Sequence, residues 1–188
     1  MEIYLVRHTT PNIEKGICYG QSDIGITDSF HTEVQEIHSN IPVQEISTVY
    51  SSPLQRCKLL AKTFKKEIHF DDRLKELNFG DWELRSWDCI HSKELDPWMI
   101  DFVNVKVPNG ESYVMLQQRI LDFFTSLNHN SKEKNIIVSH AGTIRSLVSS
   151  IKNIPLKNSF NIKLDYGHII TIKTSQNQFE ITSGLNVS

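Results

Sequence analysis

Short apolar runs of strand length recur along the chain at residues 3–6, 46–50, 136–138, 160–164 and 169–173. A briefer run at 68–70 fits one more strand. Between them, apolar residues return every three or four positions. Leu54, Cys57, Leu60, Ala61 and Phe64 form one such stripe, and Ser52-Pro53 ahead of them supplies a capping hydroxyl and a proline suited to the first helical position. Tyr113, Leu116, Ile120, Phe124 and Leu127 form a second, opening near Glu111-Ser112 after the turn Pro108-Asn109-Gly110. A third helix is expected from about Thr143 to Ile151. This alternation predicts an α/β fold with a mixed, mostly parallel sheet and helices on both faces. The tail from Phe160 reads as an antiparallel finish, with Tyr166-Gly167-His168 at its turn. Residues 84–109 have the weakest pattern and could cover an active site. No linker divides residues 1–188, which read as a single domain.

Two of the strands end in an unusual way. The run Ile3-Tyr4-Leu5-Val6 stops at Arg7-His8, and Asn135-Ile136-Ile137-Val138-Ser139 stops at His140. In an open α/β sheet, ligands bind outside the C-terminal ends of the strands. Two histidines delivered to two such ends can meet in one crevice.

Composition narrows the classes. Apolar content of 39%, charged content of 22% and a net charge of −2 suit a globular domain and argue against general binding to nucleic acid or anionic membrane. Any bound anion must then be held by a local cluster. No apolar stretch approaches bilayer length, and the first residues lack the pattern of a secretory signal. Cys18, Cys57 and Cys89 are odd in number and widely spaced, which gives neither a disulfide framework nor a metal motif. A reducing, cytoplasmic setting is expected. Nothing in the pattern sets an oligomeric state.

Five residues carry candidate chemistry: Arg7, His8, Arg56, Glu76 and His140. A neutral imidazole at His8 can attack phosphorus if its other ring nitrogen donates to a fixed acceptor such as a backbone carbonyl. Arg7 and Arg56 offer planar forks matched to phosphate oxygens, with Arg56 in the first turn of its helix. His140 adds a donor facing the transferring oxygens. Glu76 can protonate a departing alkoxide and then take a proton from water, and a neighbouring phosphate dianion should raise its pKa. Glu83 and Asp81 are alternative acids in the same stretch. Thr9 and Asn12 are candidate phosphate contacts, and Tyr19 a candidate substrate contact.

The motifs Arg7-His8, Ser51-Ser52-Pro53-Leu54-Gln55-Arg56, Glu76 through Glu83, Gly110-Glu111-Ser112 and Ser139-His140-Ala141-Gly142 occur in an order that resembles the histidine phosphatase superfamily, the phosphoglycerate-mutase-like group. That resemblance spans roughly residues 1–150. It implies a three-layer αβα sandwich, His8 as phosphoryl acceptor, Arg7, Arg56 and His140 as the phosphate pocket, Glu76 as proton donor, and no metal or other cofactor. Within the group, Cys18-Tyr19-Gly20-Gln21-Ser22-Asp23 looks like the alpha-ribazole phosphatases of cobalamin assembly, which adds Gly20 and Gln21 to the candidate substrate contacts. Thr9, Pro11 and Leu84 depart from the usual residues and alter the pocket wall.

The expected partner is a small phosphate ester. A mutase and a broad-specificity phosphatase share the same first step, so these motifs leave them open. A non-catalytic phosphate-binding module would have no need of both His8 and Glu76. No GxxxxGK[ST] signature is present. His31, His38, His69, His91 and His129 read as surface or satisfied polar positions, and His168 as a turn residue. Trp82 reads as packing, while Trp87 and Trp98 could line a base-sized pocket. Cys18 and Cys57 read as ordinary packing.

Overall fold

A computed structural model describes every residue except Asn130, Gln176, Asn177 and Ser188. The strands are β1 (Glu2–Arg7), β2 (Ile46–Ser51), β3 (Glu67–Phe70), β4 (Lys134–Ser139), β5 (Ile169–Ser175) and β6 (Gln178–Ser183). They form one sheet in the order β3-β2-β4-β1-β5-β6. The first four run parallel, while β5 is antiparallel to β1 and β6 to β5. The helices are α1 (Phe30–Ser39), α2 (Gln55–Thr63), α3 (Ser92–Ile100), α4 (Tyr113–Ser126) and α5 (Ala141–Ile151).

The continuous apolar runs of β1 and β4 arise from burial on both faces. Ile3 and Leu5 face a core shared with Leu116, Ile120, Phe123 and Phe124 of α4 and Ile144, Leu147 and Val148 of α5. Their alternates Tyr4 and Val6 face a second core with Phe30 and Ile37 of α1 and Cys57, Leu60 and Ala61 of α2. The result is a three-layer αβα sandwich. Strand register aligns the two polar ends: Arg7 of β1 pairs with Ser139 of β4, so His8 and His140 leave the sheet side by side.

Three expectations need correction. Residues 160–164 are not a strand: Leu156–Asn161 winds into 3₁₀ turns, and Ile162 makes only an isolated bridge to Val187. Ile162 and Leu164 are buried in alternation, but among the described residues they are met by the bridge to Val187 and the Lys163 N–H to Asn186 O bond rather than by a strand. The second antiparallel strand is instead β6. Pro53 does not open α2, because Leu54, in extended conformation, is the capping residue and the helix begins at Gln55. The first free N–H is taken from outside, Gln55 donating to Asp23 Oδ1 at 2.6 Å. Finally, α5 starts at Ala141, directly after His140.

Residues 84–109 fold over the C-terminal edge of the sheet. Trp82, Ile90 and Val107 bury there with Cys18, flanked by Phe79, Trp87, Leu95 and Trp98, as a third small core. Among the described residues, no helix is long and apolar enough to cross a membrane.

Candidate active site

Beyond the ends of β1 and β4 lies a cavity of about 240 Å³, lined at its base by Arg7, His8, Arg56 and Glu76. His8 is buried, and its Nδ1 lies 2.6 Å from the carbonyl oxygen of Thr9. A carbonyl only accepts, so Nδ1 carries the proton and Nε2 keeps its lone pair. Burial, then the charges of Arg56 and Arg7, hold the ring well below the usual imidazole pKa despite the Thr9 contact. His8 is therefore neutral near pH 7.

The two arginines are held by carbonyls rather than carboxylates. Arg56 is fully buried and donates from Nη1 to Ser22 O at 2.9 Å and from Nη2 to Gly20 O at 2.5 Å. Arg7 donates from Nη1 to Leu164 O at 2.6 Å, with its guanidinium 3.8 Å from the Tyr166 ring centre. Among the described residues both Nε–H groups are buried without a partner, as is the hydroxyl of Thr9. Neither arginine has an ion pair among the described residues. Burying charge without a counter-charge is costly, so this pocket is built for an anion.

His140 lies deeper, fully buried, with its ring centre 5.0 Å from that of His8. Its Nε2 is 2.8 Å from Ser52 Oγ and 3.4 Å from Cys57 Sγ. The Ser52 hydroxyl thus serves His140, and also accepts from Leu54 N–H at 3.3 Å. Burial, then Arg56 and His8, push His140 well below the usual imidazole pKa.

Glu76 sits against the start of α5. Its carboxylate accepts from the backbone N–H of Gly142 at 2.9 Å, Leu77 at 3.0 Å and Thr143 at 3.2 Å. A helix N-terminus suits an acidic group in this way. A Cβ on Gly142 would come within 2.5 Å of Glu76 Oε1, so this approach requires glycine. The alternative acids point elsewhere. Asp81 is exposed and accepts from Asn109. Glu83 accepts from the N–H groups of Gly20, Gln21, Ser22 and Phe79 and from the Ser22 hydroxyl. Burial alone would raise its pKa, but these donors outweigh burial and hold it low.

The remaining sequence candidates divide. Tyr19 lines the cavity, and its hydroxyl lies 3.0 Å from that of Tyr166. Gly20 and Gln21 act as framework: Gly20 O receives Arg56, and Gln21 Nε2 donates to Glu76 O at 2.9 Å. Asn12 is exposed and lies outside the cavity lining. His129 is buried, its Nε2 bonded to Phe124 O.

Sequence reasoning missed part of the wall. Trp87 and Trp98 do line the outer cavity, but Phe79, Phe102, Tyr113, Phe160 and Arg145 line it with them. Arg145 had a legible signal, since it stands one helical turn after Ala141 on the same side of α5. Tyr166 had none, because its approach to Arg7 comes from tertiary folding.

The sequence profile of the histidine phosphatase superfamily, branch 1, matches residues 3–186. The chain belongs to that superfamily. It is 28% identical over 178 residues to a Hydrogenobacter thermophilus protein named "Putative phosphoserine phosphatase 2", covering 90% of this chain and 88% of the relative. It is 31% identical over 177 residues to "Probable phosphoglycerate mutase GpmB" of Erwinia tasmaniensis, covering 87% and 80%. The adenosylcobalamin/alpha-ribazole phosphatase of Escherichia coli K12 is 25% identical over 177 residues, covering 89% and 87%. Among solved structures, the alpha-ribazole phosphatase of Shigella flexneri superposes with a TM-score of 0.89 at 23% identity, over 99% of this chain and 96% of that one. This superfamily member shares the phosphatase and mutase fold.

Proposed function

We propose that the protein is a phosphomonoesterase that hydrolyses a small phosphate ester through a phosphohistidine at His8. The observation that carries this reading is the pair Arg7 and Arg56, two guanidiniums without a carboxylate partner among the described residues, beside a neutral histidine with one free nitrogen. An ester phosphate supplies the missing negative charge. His8 Nε2 attacks phosphorus, the P–O bond to the alcohol breaks, and Glu76 gives its proton to the departing oxygen. In the second step water attacks the phosphohistidine, Glu76 takes the water proton, and the P–N bond breaks. Arg7, Arg56 and His140 stabilise the transferring oxygens in both steps, as fixed donors do where charge develops. Thr9, fully buried behind the cavity lining, backs His8 through its carbonyl.

The favoured substrate is alpha-ribazole 5′-phosphate. Its planar base suits a wall of Trp87, Trp98, Phe102 and Phe160, and the named Escherichia coli relative supports the choice. A second reading, phosphoryl transfer on a small phospho-acid, draws on the relative named as a phosphoglycerate mutase, while the relative named as a phosphoserine phosphatase favours hydrolysis of such an acid. Phosphate release from alpha-ribazole 5′-phosphate, 3-phosphoglycerate and nitrophenyl phosphate, measured in chelator, separates them. A clear preference for the ribazole ester supports the first reading, and rapid isomerisation of 3-phosphoglycerate supports the second. Silence in phosphate release favours the mutase or a phosphate-binding module, and silence in both phosphate release and isomerisation of 3-phosphoglycerate contradicts both readings.

A further inference from the structure

The cavity has an inner, cationic end and an outer, aromatic end. Trp87 and Trp98 stack with ring centres 5.8 Å apart, Trp98 meets Phe102 at 6.1 Å, and Phe102 meets Phe160 at 5.2 Å. Such a wall alone would suit any apolar alcohol. Two polar groups in it are not explained by packing.

The first is Arg145. Its Nε donates to Ile162 O at 3.0 Å, and its guanidinium carbon lies 5.3 Å from the Phe160 ring centre. Among the described residues neither Nη group has a partner and the side chain joins no ion pair. It is half-buried in the cavity wall. The second is Trp98, whose indole N–H is buried in the same wall without a partner among the described residues. A guanidinium always carries charge and presents its donors in a fixed fork, and a buried indole N–H normally finds an acceptor. Both donors stand outside the set that meets the phosphate.

We infer that Arg145, seconded by Trp98, is a specificity-determining group that binds an oxygen-bearing part of the alcohol leaving group. The substrate is then a phosphate monoester whose alcohol carries acceptor oxygens beyond the ester, such as paired sugar hydroxyls or a carboxylate, and not a purely apolar alcohol. A site with unpaired donors discriminates strongly against a ligand lacking the matching acceptor. This inference deepens the proposed function and rests on it.

The test is calorimetric titration in a His8→Ala background, where bound esters persist. The probes are phenyl phosphate, alpha-ribazole 5′-phosphate, phosphoserine and inorganic phosphate, each with and without Arg145→Met. Inorganic phosphate reports whether the inner pocket survives the change. Arg145→Met should weaken at least one oxygen-bearing ester by at least tenfold more than phenyl phosphate, with Arg145→Lys recovering part. Trp98→Phe, which keeps a ring and removes the N–H, should act in the same direction with smaller effect. A loss on the ribazole ester assigns sugar hydroxyls, and one on phosphoserine assigns a carboxylate. Equal losses on all esters, or none, overturn the specificity role. Failure of every phosphate to bind before Arg145 is changed overturns the phosphatase reading itself.

Discussion

His8 and His140 stand edge to face, ring centres 5.0 Å apart, because Arg7 of β1 and Ser139 of β4 are register partners. Parallel pairing of the two central strands thus brings together residues 132 positions apart in sequence (140 − 8). Both rings share the field of Arg56, and both are neutral as a result of burial first and that charge second.

This shared neutrality sets a pH dependence. Each histidine titrates near 6.5 in the unfolded chain and well below that when folded. Below about pH 6.5 the unfolded chain binds protons that the folded one refuses, so stability falls as pH falls. Each histidine adds up to about 1.4 kcal/mol per pH unit to that slope. Urea unfolding between about pH 7.5 and 5 should show the decline, and His140→Asn should make it shallower. An identical slope in the variant would contradict the assignment.

The unpaired arginines predict strong stabilisation by anions. At a hundredfold excess over its Kd, inorganic phosphate should add about 2.7 kcal/mol. For a domain of this size that raises Tm by roughly 5–10 °C. Arg56→Met should remove most of this shift in a thermal melt, whereas chloride at equal ionic strength should give little of it. A shift of equal size in Arg56→Met would show that the anion binds elsewhere.

Glu76, fixed by the N–H groups of Gly142, Leu77 and Thr143, is assigned the leaving-group proton. Glu76→Gln should slow an alkyl ester by about 10²–10⁴ while slowing nitrophenyl phosphate far less, since nitrophenolate leaves unaided. Comparing kcat/KM for the two esters, which reports the phosphorylation step and not the shared hydrolysis of the phosphohistidine, decides it. Equal losses would assign Glu76 to positioning.

Glu83 is assigned a structural part, because it anchors the loop whose Gly20 and Ser22 carbonyls hold Arg56. Glu83→Gln should cost about 1–3 kcal/mol of stability. It should also raise KM more than it lowers kcat. An unchanged KM would break the link from Glu83 through the loop to Arg56.

The strands that deliver the site were the most legible part of the sequence. β1 and β4 are buried on both faces, so they read as unbroken apolar runs whose polar ends stand out. Elements with one weakly buried face were harder. In α1 only Phe30 and Ile37 are buried, and edge strand β6 has no fully buried residue. Neither leaves a clear period. The buried alternation of Ile162 and Leu164 imitated a strand because burial sets the pattern, while only a neighbour completes a ladder. Within the site, Arg7, His8, Arg56, Glu76 and His140 could be named from type and order. Arg145 left a trace in its helical spacing from Ala141, but its place beside Phe160 depends on how residues 156–164 pack over α5. Tyr166 left none, since only the folded chain lays its ring on Arg7.

The central claim is the covalent step at His8. The most direct measurement mixes the protein with a ³²P-labelled monoester, quenches within milliseconds, and locates the label. The account predicts an acid-labile, base-stable phosphoryl group on His8, formed and lost at rates consistent with turnover and missing from His8→Ala. Undiminished turnover in His8→Ala, or label on any other residue, would contradict it.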